Sequence, residues 1–302
     1  MLATVRSLCF LILIGSAPAL AQDRGTLDNP PLPPLADPNA PSTPAKELFA
    51  RKTMPLAASP RSIGFYSAGC LSGGVALPID GPSWQVMRLS RNRNWGHPKL
   101  IALLERLADN GKKIGWNGLL IGDMSQPRGG PMLTGHASHQ IGLDADIWYT
   151  PMPDHIQSPE ERESTSAVQM VADGGLSVDP KTWTHERTEL LRAAAMDPQV
   201  ERIFVNAAIK KQVCQEAGAD RNWMSKLRPW WGHDYSFHIR LTCPVDSHDC
   251  KPQPPPEAGD GCGHELDYWF TAEVLHPVPS PPKPPITLAA LPQACKQVVM
   301  AP

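Results

Sequence analysis

Thr134-Gly-His136-Ala-Ser-His139-Gln-Ile-Gly-Leu-Asp144-Ala-Asp146-Ile-Trp148 changes character halfway along. Gly135 to His139 reads as a loop. From Ile141 the apolar residues alternate, so Ile141, Leu143, Ala145 and Ile147 take one face of an extended strand and Asp144, Asp146 and Trp148 take the other. A second stretch, Gly232-His233-Asp-Tyr235-Ser236-Phe-His238-Ile-Arg240-Leu241, repeats the plan. Tyr235, Phe237, Ile239 and Leu241 share one face, which leaves Ser236, His238 and Arg240 on the other. Two strands that each gather titratable groups on one face predict a sheet whose polar side floors a cleft.

Working outward, Pro98 to Gly111 has helical apolar spacing, with Pro at its start and Asn110-Gly111 at its end. Leu119 to Asp123 reads as a buried strand leading to the Gly129-Gly130 loop. Helices are expected over Glu186–Ala195 and about Ala207–Ala217, with a strand at Arg202–Val205 between them. Gly64 to Met87 is broken by glycines and suits short strands and hairpins. Helices and strands in irregular order predict an α+β domain with a central, mainly antiparallel sheet flanked by helices and loops. The domain is expected over residues 60–275, long enough for a sizeable core.

The ends differ from the middle. Residues 1–21 combine Arg6, an apolar run from Leu8 to Ile14 and an Ala19-Leu-Ala21 exit, the layout of a secretory signal. That run is too short to span a bilayer. Residues 22–59 and 276–302 contain Pro-rich stretches, Asp28–Pro44 and His276–Pro292, expected to be extended with little core of their own. Apart from Cys9 in the signal, six cysteines remain: Cys70, Cys214, Cys243, Cys250, Cys262 and Cys295. An even set in an exported chain predicts three disulfides, and the sequence leaves fifteen pairings open. Cys295 is expected to staple the tail to the body. The formal net charge of −2 points to neither nucleic acid nor an anionic membrane surface. A soluble protein of the periplasm is the expected setting, without membrane insertion once the signal is cleaved.

Single histidines are usually surface residues or hydrogen-bonded core residues, and His97, His155, His185, His248, His264 and His276 show no clustering. The two quoted segments differ. Together they supply imidazoles and a carboxylate in the mix that a catalytic zinc requires, three protein ligands with one position left open. Asp144 has two readings: holding a ligand imidazole in its tautomer, or pairing with Arg240 as a structural carboxylate. Trp230-Trp231 is expected to pack in the core rather than to wall the cleft. No Gly-x-Ser-x-Gly elbow surrounds Ser138, which argues against a serine hydrolase.

The Gly135–Trp148 segment resembles the signature of the penicillin-insensitive murein endopeptidases, in the wider group of lysostaphin-type peptidases and D-Ala-D-Ala carboxypeptidases. Ile203-Phe-Val-Asn206, Asp220-Arg with Trp223, Arg228-Pro-Trp230, Ile239-Arg-Leu-Thr-Cys-Pro244 and Gly259-Asp-Gly-Cys-Gly263 are similar to that family too, so the resemblance covers most of the chain between the tails. It implies Zn2+ held by His139, Asp146 and His238, with His136 beside the metal or among its ligands. His233 is implied as an active-site histidine that binds or polarises substrate. The implied disulfides are Cys70–Cys295, Cys214–Cys262 and Cys243–Cys250. The implied substrates are the D-alanyl–meso-diaminopimelyl cross-links of peptidoglycan, and secondarily the diaminopimelyl–diaminopimelyl bridge.

The family pattern has His-x-His on the last strand, where this chain has Ser236-Phe-His238. A serine hydroxyl titrates far from neutrality and cannot relay a proton as imidazole does, a loss typically of about a hundred- to ten-thousand-fold in rate. Three readings stay open: a zinc endopeptidase in which His233 serves or turnover is slow, a murein-binding homologue impaired in hydrolysis, and a carboxypeptidase trimming stem peptides.

Overall fold

A computed structural model describes residues 31–302; the expected signal, 1–21, lies outside the described residues. In chain order the strands are β1 (Arg61–Phe65), β2 (Ala68–Ser72), β3 (Val75–Ala76), β4 (Asp80–Gly81), β5 (Trp84–Val86) and β6 (Trp95–Gly96). They continue as β7 (Leu119–Ile121), β8 (Asp144–Pro151), β9 (Val200–Val205), β10 (Leu227–Pro229) and β11 (Ser236–Leu241). The helices are α1 (Ala45–Phe49), α2 (Pro98–Lys113), α3 (Pro159–Ser164), α4 (His185–Met196) and α5 (Ala207–Glu216), then α6 (His264–Asp267), α7 (Ala272–Leu275) and α8 (Gln293–Met300).

Seven strands make the central sheet in the order β10-β9-β11-β8-β7-β5-β4. Its β9–β11, β11–β8, β8–β7 and β5–β4 pairs are antiparallel, while β10–β9 and β7–β5 are parallel. The fold is therefore α+β with a mixed, mainly antiparallel sheet. β11 lies between β8 and β9, so both segments quoted above sit at its centre. Every residue of β11 is buried, as are the first six of β8, so both faces of these strands are covered. The apolar face (Ile147, Phe237, Ile239, Leu241) joins the main core, which also takes Leu100, Leu103 and Leu104 of α2 and Leu190 and Leu191 of α4.

α2 follows its sequence pattern at the start: His97 caps it, its Nδ1 accepting from Lys99 N at 3.2 Å, and Pro98 occupies the first turn. It runs to Lys113, beyond the expected stop at Gly111. Gly111 is a packing residue, since a Cβ there would meet Leu119 Cδ2 at 3.3 Å. The left-handed residue after the helix is Gly115, φ +89°.

A second apolar cluster joins Ala45, Leu48 and Phe49 of α1, Ile63 and Cys70 of the β1–β2 hairpin, and Leu291, Cys295, Val298 and Val299 at and before α8. Disulfides link Cys70 to Cys295, Cys214 to Cys262 and Cys243 to Cys250. Among its described residues, the Pro-rich run before α1 carries a single β-bridge, Pro44 to Thr287. No helix among the described residues is long and apolar enough to cross a membrane.

Candidate metal centre

The register of β11 on β8 sets the site. Ser236 faces Trp148, His238 faces Asp146 and Arg240 faces Asp144 across the two strands. Because side chains alternate, these three rungs share the face opposite the core. Asp146 is the hub. Its Oδ1 lies 3.5 Å from His139 Nε2 and 3.5 Å from His238 Nδ1, and its Oδ2 lies 3.4 Å from His136 Nδ1. Among the described residues two trios have ligand atoms within 4.8 Å of one another, His136–His139–Asp146 and Asp146–His233–His238, and both contain Asp146. The rings of His139 and His238 are 4.5 Å apart at their centroids. All five residues singled out in the sequence as ligands or neighbours of a metal are thus gathered at one carboxylate.

The residues around the hub orient it. His139 Nδ1 lies 3.1 Å from the Met124 carbonyl, and a proton on that nitrogen leaves Nε2 as a bare lone pair turned to Asp146. Asp144, fully buried, pairs with Arg240, one of the two roles foreseen for it, and also lies against His238. Its Oδ1 accepts from Arg240 Nε at 2.8 Å and lies 3.1 Å from His238 Nε2, and its Oδ2 accepts the His139 backbone N–H at 3.0 Å. Burial would raise the Asp144 carboxyl, but the Arg240 guanidinium, together with the contact to His238, outweighs it and holds its pKa below the usual carboxylate range. Asp146 behaves alike: burial opposes its charge, and His139, His136 and His238 lower its pKa despite that. Burial pushes His238 down to about 4 even with Asp144 beside it, so its imidazole is neutral at pH 7.

This donor set fits a zinc ion. His139 Nε2 and Asp146 Oδ1 are buried and bond nothing among the described residues. Such a cost is ordinarily offset by a partner, and a divalent cation would satisfy a carboxylate oxygen and imidazole lone pairs aimed at each other. Imidazoles with a carboxylate also match the donor preference of Zn2+.

Sequence reasoning missed the support beneath His136. Asp123 Oδ2 contacts His136 Nε2 at 2.9 Å, Arg93 Nη1 at 2.8 Å and Arg91 Nη1 at 3.0 Å. Burial opposes the charge on Asp123, yet the bond to His136 and the two arginines hold its pKa below the usual carboxylate range. The same contact, with Asp146, raises His136 although burial works the other way. A carboxylate at the end of an apolar strand, Leu119 to Asp123, was the available signal.

His139 (φ +65°) and His233 (φ +53°) both occupy the left-handed region, which is costly for a residue with a Cβ. Nothing in a one-dimensional pattern marks a histidine for that conformation. His233 Nδ1 contacts the Trp231 carbonyl at 2.9 Å, and burial lowers its pKa. Tyr235, assigned above to the apolar face, precedes β11 and is 41 % exposed. It lines a cavity of about 300 Å³ together with Ser236, Trp148, His136 and Asp146. Trp230 and Trp231 are about half exposed instead of packed in the core, and they stack on each other and on Trp269. The Phe204 ring lies against both Trp230 and His238.

The penicillin-insensitive murein endopeptidase family model matches residues 62–300. A protein of Haemophilus influenzae named penicillin-insensitive murein endopeptidase is 46 % identical over 240 residues, covering 80 % of this chain and 82 % of the relative. Its namesake in Pectobacterium atrosepticum is 44 % identical over 252 residues (82 % and 89 %), and that of Yersinia enterocolitica 43 % over 247 (82 % and 88 %). With nearly the whole described body matched and the two strand segments folded onto one carboxylate, the chain belongs to the penicillin-insensitive murein endopeptidase family.

Proposed function

We propose that this protein is a zinc-dependent endopeptidase that opens the D-alanyl–meso-diaminopimelyl cross-links of peptidoglycan, in the periplasm after loss of residues 1–21. The observation that carries the reading is the pair of buried, unbonded ligand atoms, His139 Nε2 and Asp146 Oδ1, in a chain of this family. His139, Asp146 and His238 would hold the metal, with His136 beside it. Bound zinc brings the pKa of water toward neutrality and polarises a scissile carbonyl, so the reaction needs no protein nucleophile. Penicillin acts by acylating a serine, and a site without a serine nucleophile offers it no target.

The chain's own residues do the rest. Met124 O and Asp144 would orient the imidazoles, the Asp123–His136 pair would support the loop side of the site, and His233, grouped with Asp146 and His238, would bind substrate. Ser236 supplies no proton relay, which favours a second reading: a murein-binding homologue slow in hydrolysis. The test is incubation of a purified cross-linked muropeptide dimer with zinc-loaded protein, a metal-stripped sample and His238→Ala. Zinc-dependent, penicillin-resistant conversion to monomers is expected, reduced at least a hundredfold in the variant. Tight binding of one zinc without conversion would replace the endopeptidase reading with the binding one, and release of D-alanine from monomers alone would make it a carboxypeptidase.

A further inference from the structure

We propose that Arg91 forms a subsite for the free carboxylate carried on the leaving-group side of the cleaved amide; this rests on the endopeptidase reading. The cavity of about 300 Å³ beside the metal centre is lined by Arg88, Arg91, His136, Asp146, Tyr235 and Ser236, so Arg91 and the hub carboxylate open onto one volume. That volume is at the small end of ligand sites, suited to one or two residues of a peptide.

The two arginines of the wall are not equivalent. Arg88 Nη1 and Nη2 are spent on the carbonyls of Arg162, Glu163 and Thr165, and its guanidinium lies over the Trp148 ring. The Arg91 side chain makes one hydrogen bond among the described residues, Nη1 to Asp123 Oδ2, and is 47 % exposed. Asp123 does not neutralise it. The same carboxylate oxygen already takes Arg93 Nη1 at 2.8 Å and His136 Nε2 at 2.9 Å, and Arg93 is the more enclosed partner, tied also to Thr134 O. Two guanidinium charges on one carboxylate leave a positive excess at the rim, with Nε and Nη2 of Arg91 available for a bidentate contact.

The proposed substrate carries the matching group. In a D-alanyl–diaminopimelyl cross-link, the carbon bearing the scissile nitrogen also bears a free carboxylate. With the carbonyl at the metal centre, that carboxylate is one carbon removed from the bond to be cut and falls in the same cavity. Arg91 would then select leaving groups with an ionised carboxylate over their carboxamides.

Calorimetric titration of the zinc-loaded protein with a ketomethylene analogue of the cross-link, which cannot be hydrolysed, tests this. The analogue is made in two forms, free acid and carboxamide at that one carbon. The free acid is expected to bind roughly ten- to a hundredfold more tightly. Arg91→Ala should remove that preference by weakening the acid alone, and Arg91→Lys should retain part of it. Unchanged affinity for the carboxamide shows that the variant is folded. Equal binding of the two forms by the wild type, no binding of either, or equal weakening of both in Arg91→Ala would overturn the proposal, the last by reducing Arg91 to a prop for Asp123. Hydrolysis of the natural cross-link is scored separately. Absent turnover with a retained acid preference would remove the endopeptidase reading and leave the carboxylate site standing.

Discussion

Ser236 stands at the end of the cross-strand ladder whose next rungs are His238 on Asp146 and Arg240 on Asp144. It is only 4 % exposed, yet it borders the cavity, so a larger side chain there has open volume to enter. Ser236→His is therefore expected to fold normally and to raise turnover of cross-linked dimer on the order of a hundredfold with zinc stoichiometry unchanged. Steady-state kinetics with metal analysis checks it, and unchanged turnover would assign the proton relay to His233. The faces were legible at this scale, because alternation alone gave Ser236, His238 and Arg240 one shared face of their strand and Asp144, Asp146 and Trp148 one shared face of theirs; the pairing that lays both sets on the same side of the sheet was not. The Asp123–Arg91–Arg93 cluster was not, because its members come from separate elements and no periodicity links them. Asp144 was left between two roles for a related reason. A sequence cannot show that one carboxylate has enough oxygen lone pairs to serve Arg240, the His139 amide and His238 together.

Elements with strong apolar periodicity were readable, and their ends were less so. α2, α4, β9 and α5 lie within a few residues of expectation, whereas α2 outruns Gly111 because a glycine that stops one helix can make room in another. α3 carried a readable mark: Ser158 and Glu161 form a capping box in which each side chain bonds the other's backbone N–H. α5 holds a less visible feature. Lys210 is fully buried on it, and its ammonium donates to the carbonyls of Met224 (2.8 Å) and Asp260. Burial, with the nearby Arg228 charge, pushes Lys210 down to about 7. The unfolded chain keeps this lysine protonated to about 10.4, so between these values the unfolded state binds more protons and stability must rise with pH. Relative to Lys210→Met, wild-type stability should climb between pH 7 and 9 with a slope approaching about 1.4 kcal/mol per pH unit, and the two should run parallel well below pH 7. Urea unfolding of both proteins across that range measures the slope, and parallel curves throughout would mean that the folded state keeps the lysine charged.

At the scale of the molecule, the metal centre lies in the main sheet while the two ends of the described chain meet in a separate apolar cluster. Cys70–Cys295 fixes that cluster across a sequence separation of 225 residues, whereas Cys243–Cys250 closes a separation of 7. If a disulfide acts mainly by restricting the unfolded chain, its effect grows with the logarithm of the loop, giving about 5 kcal/mol for the long closure and about 2 kcal/mol for the short one. The long value is an upper figure, because the other two bridges already shorten the unfolded chain. The two closures also differ in what they secure. Losing Cys70–Cys295 leaves α8 held by the apolar contacts of Val298 and Val299 with α1 and the β1–β2 hairpin, and by Arg128, which donates to the carbonyls of Val298, Ala301 and Pro302. The pair Cys70→Ala, Cys295→Ala should therefore lower the free energy of unfolding by several kcal/mol, and limited proteolysis should cut first in the Pro-rich run before α8. Zinc stoichiometry should stay at one per chain, because none of the residues gathered at Asp146 belongs to the second cluster. Denaturant unfolding paired with metal analysis of the double variant separates the two effects: loss of zinc together with stability would show that the terminal cluster braces the metal centre.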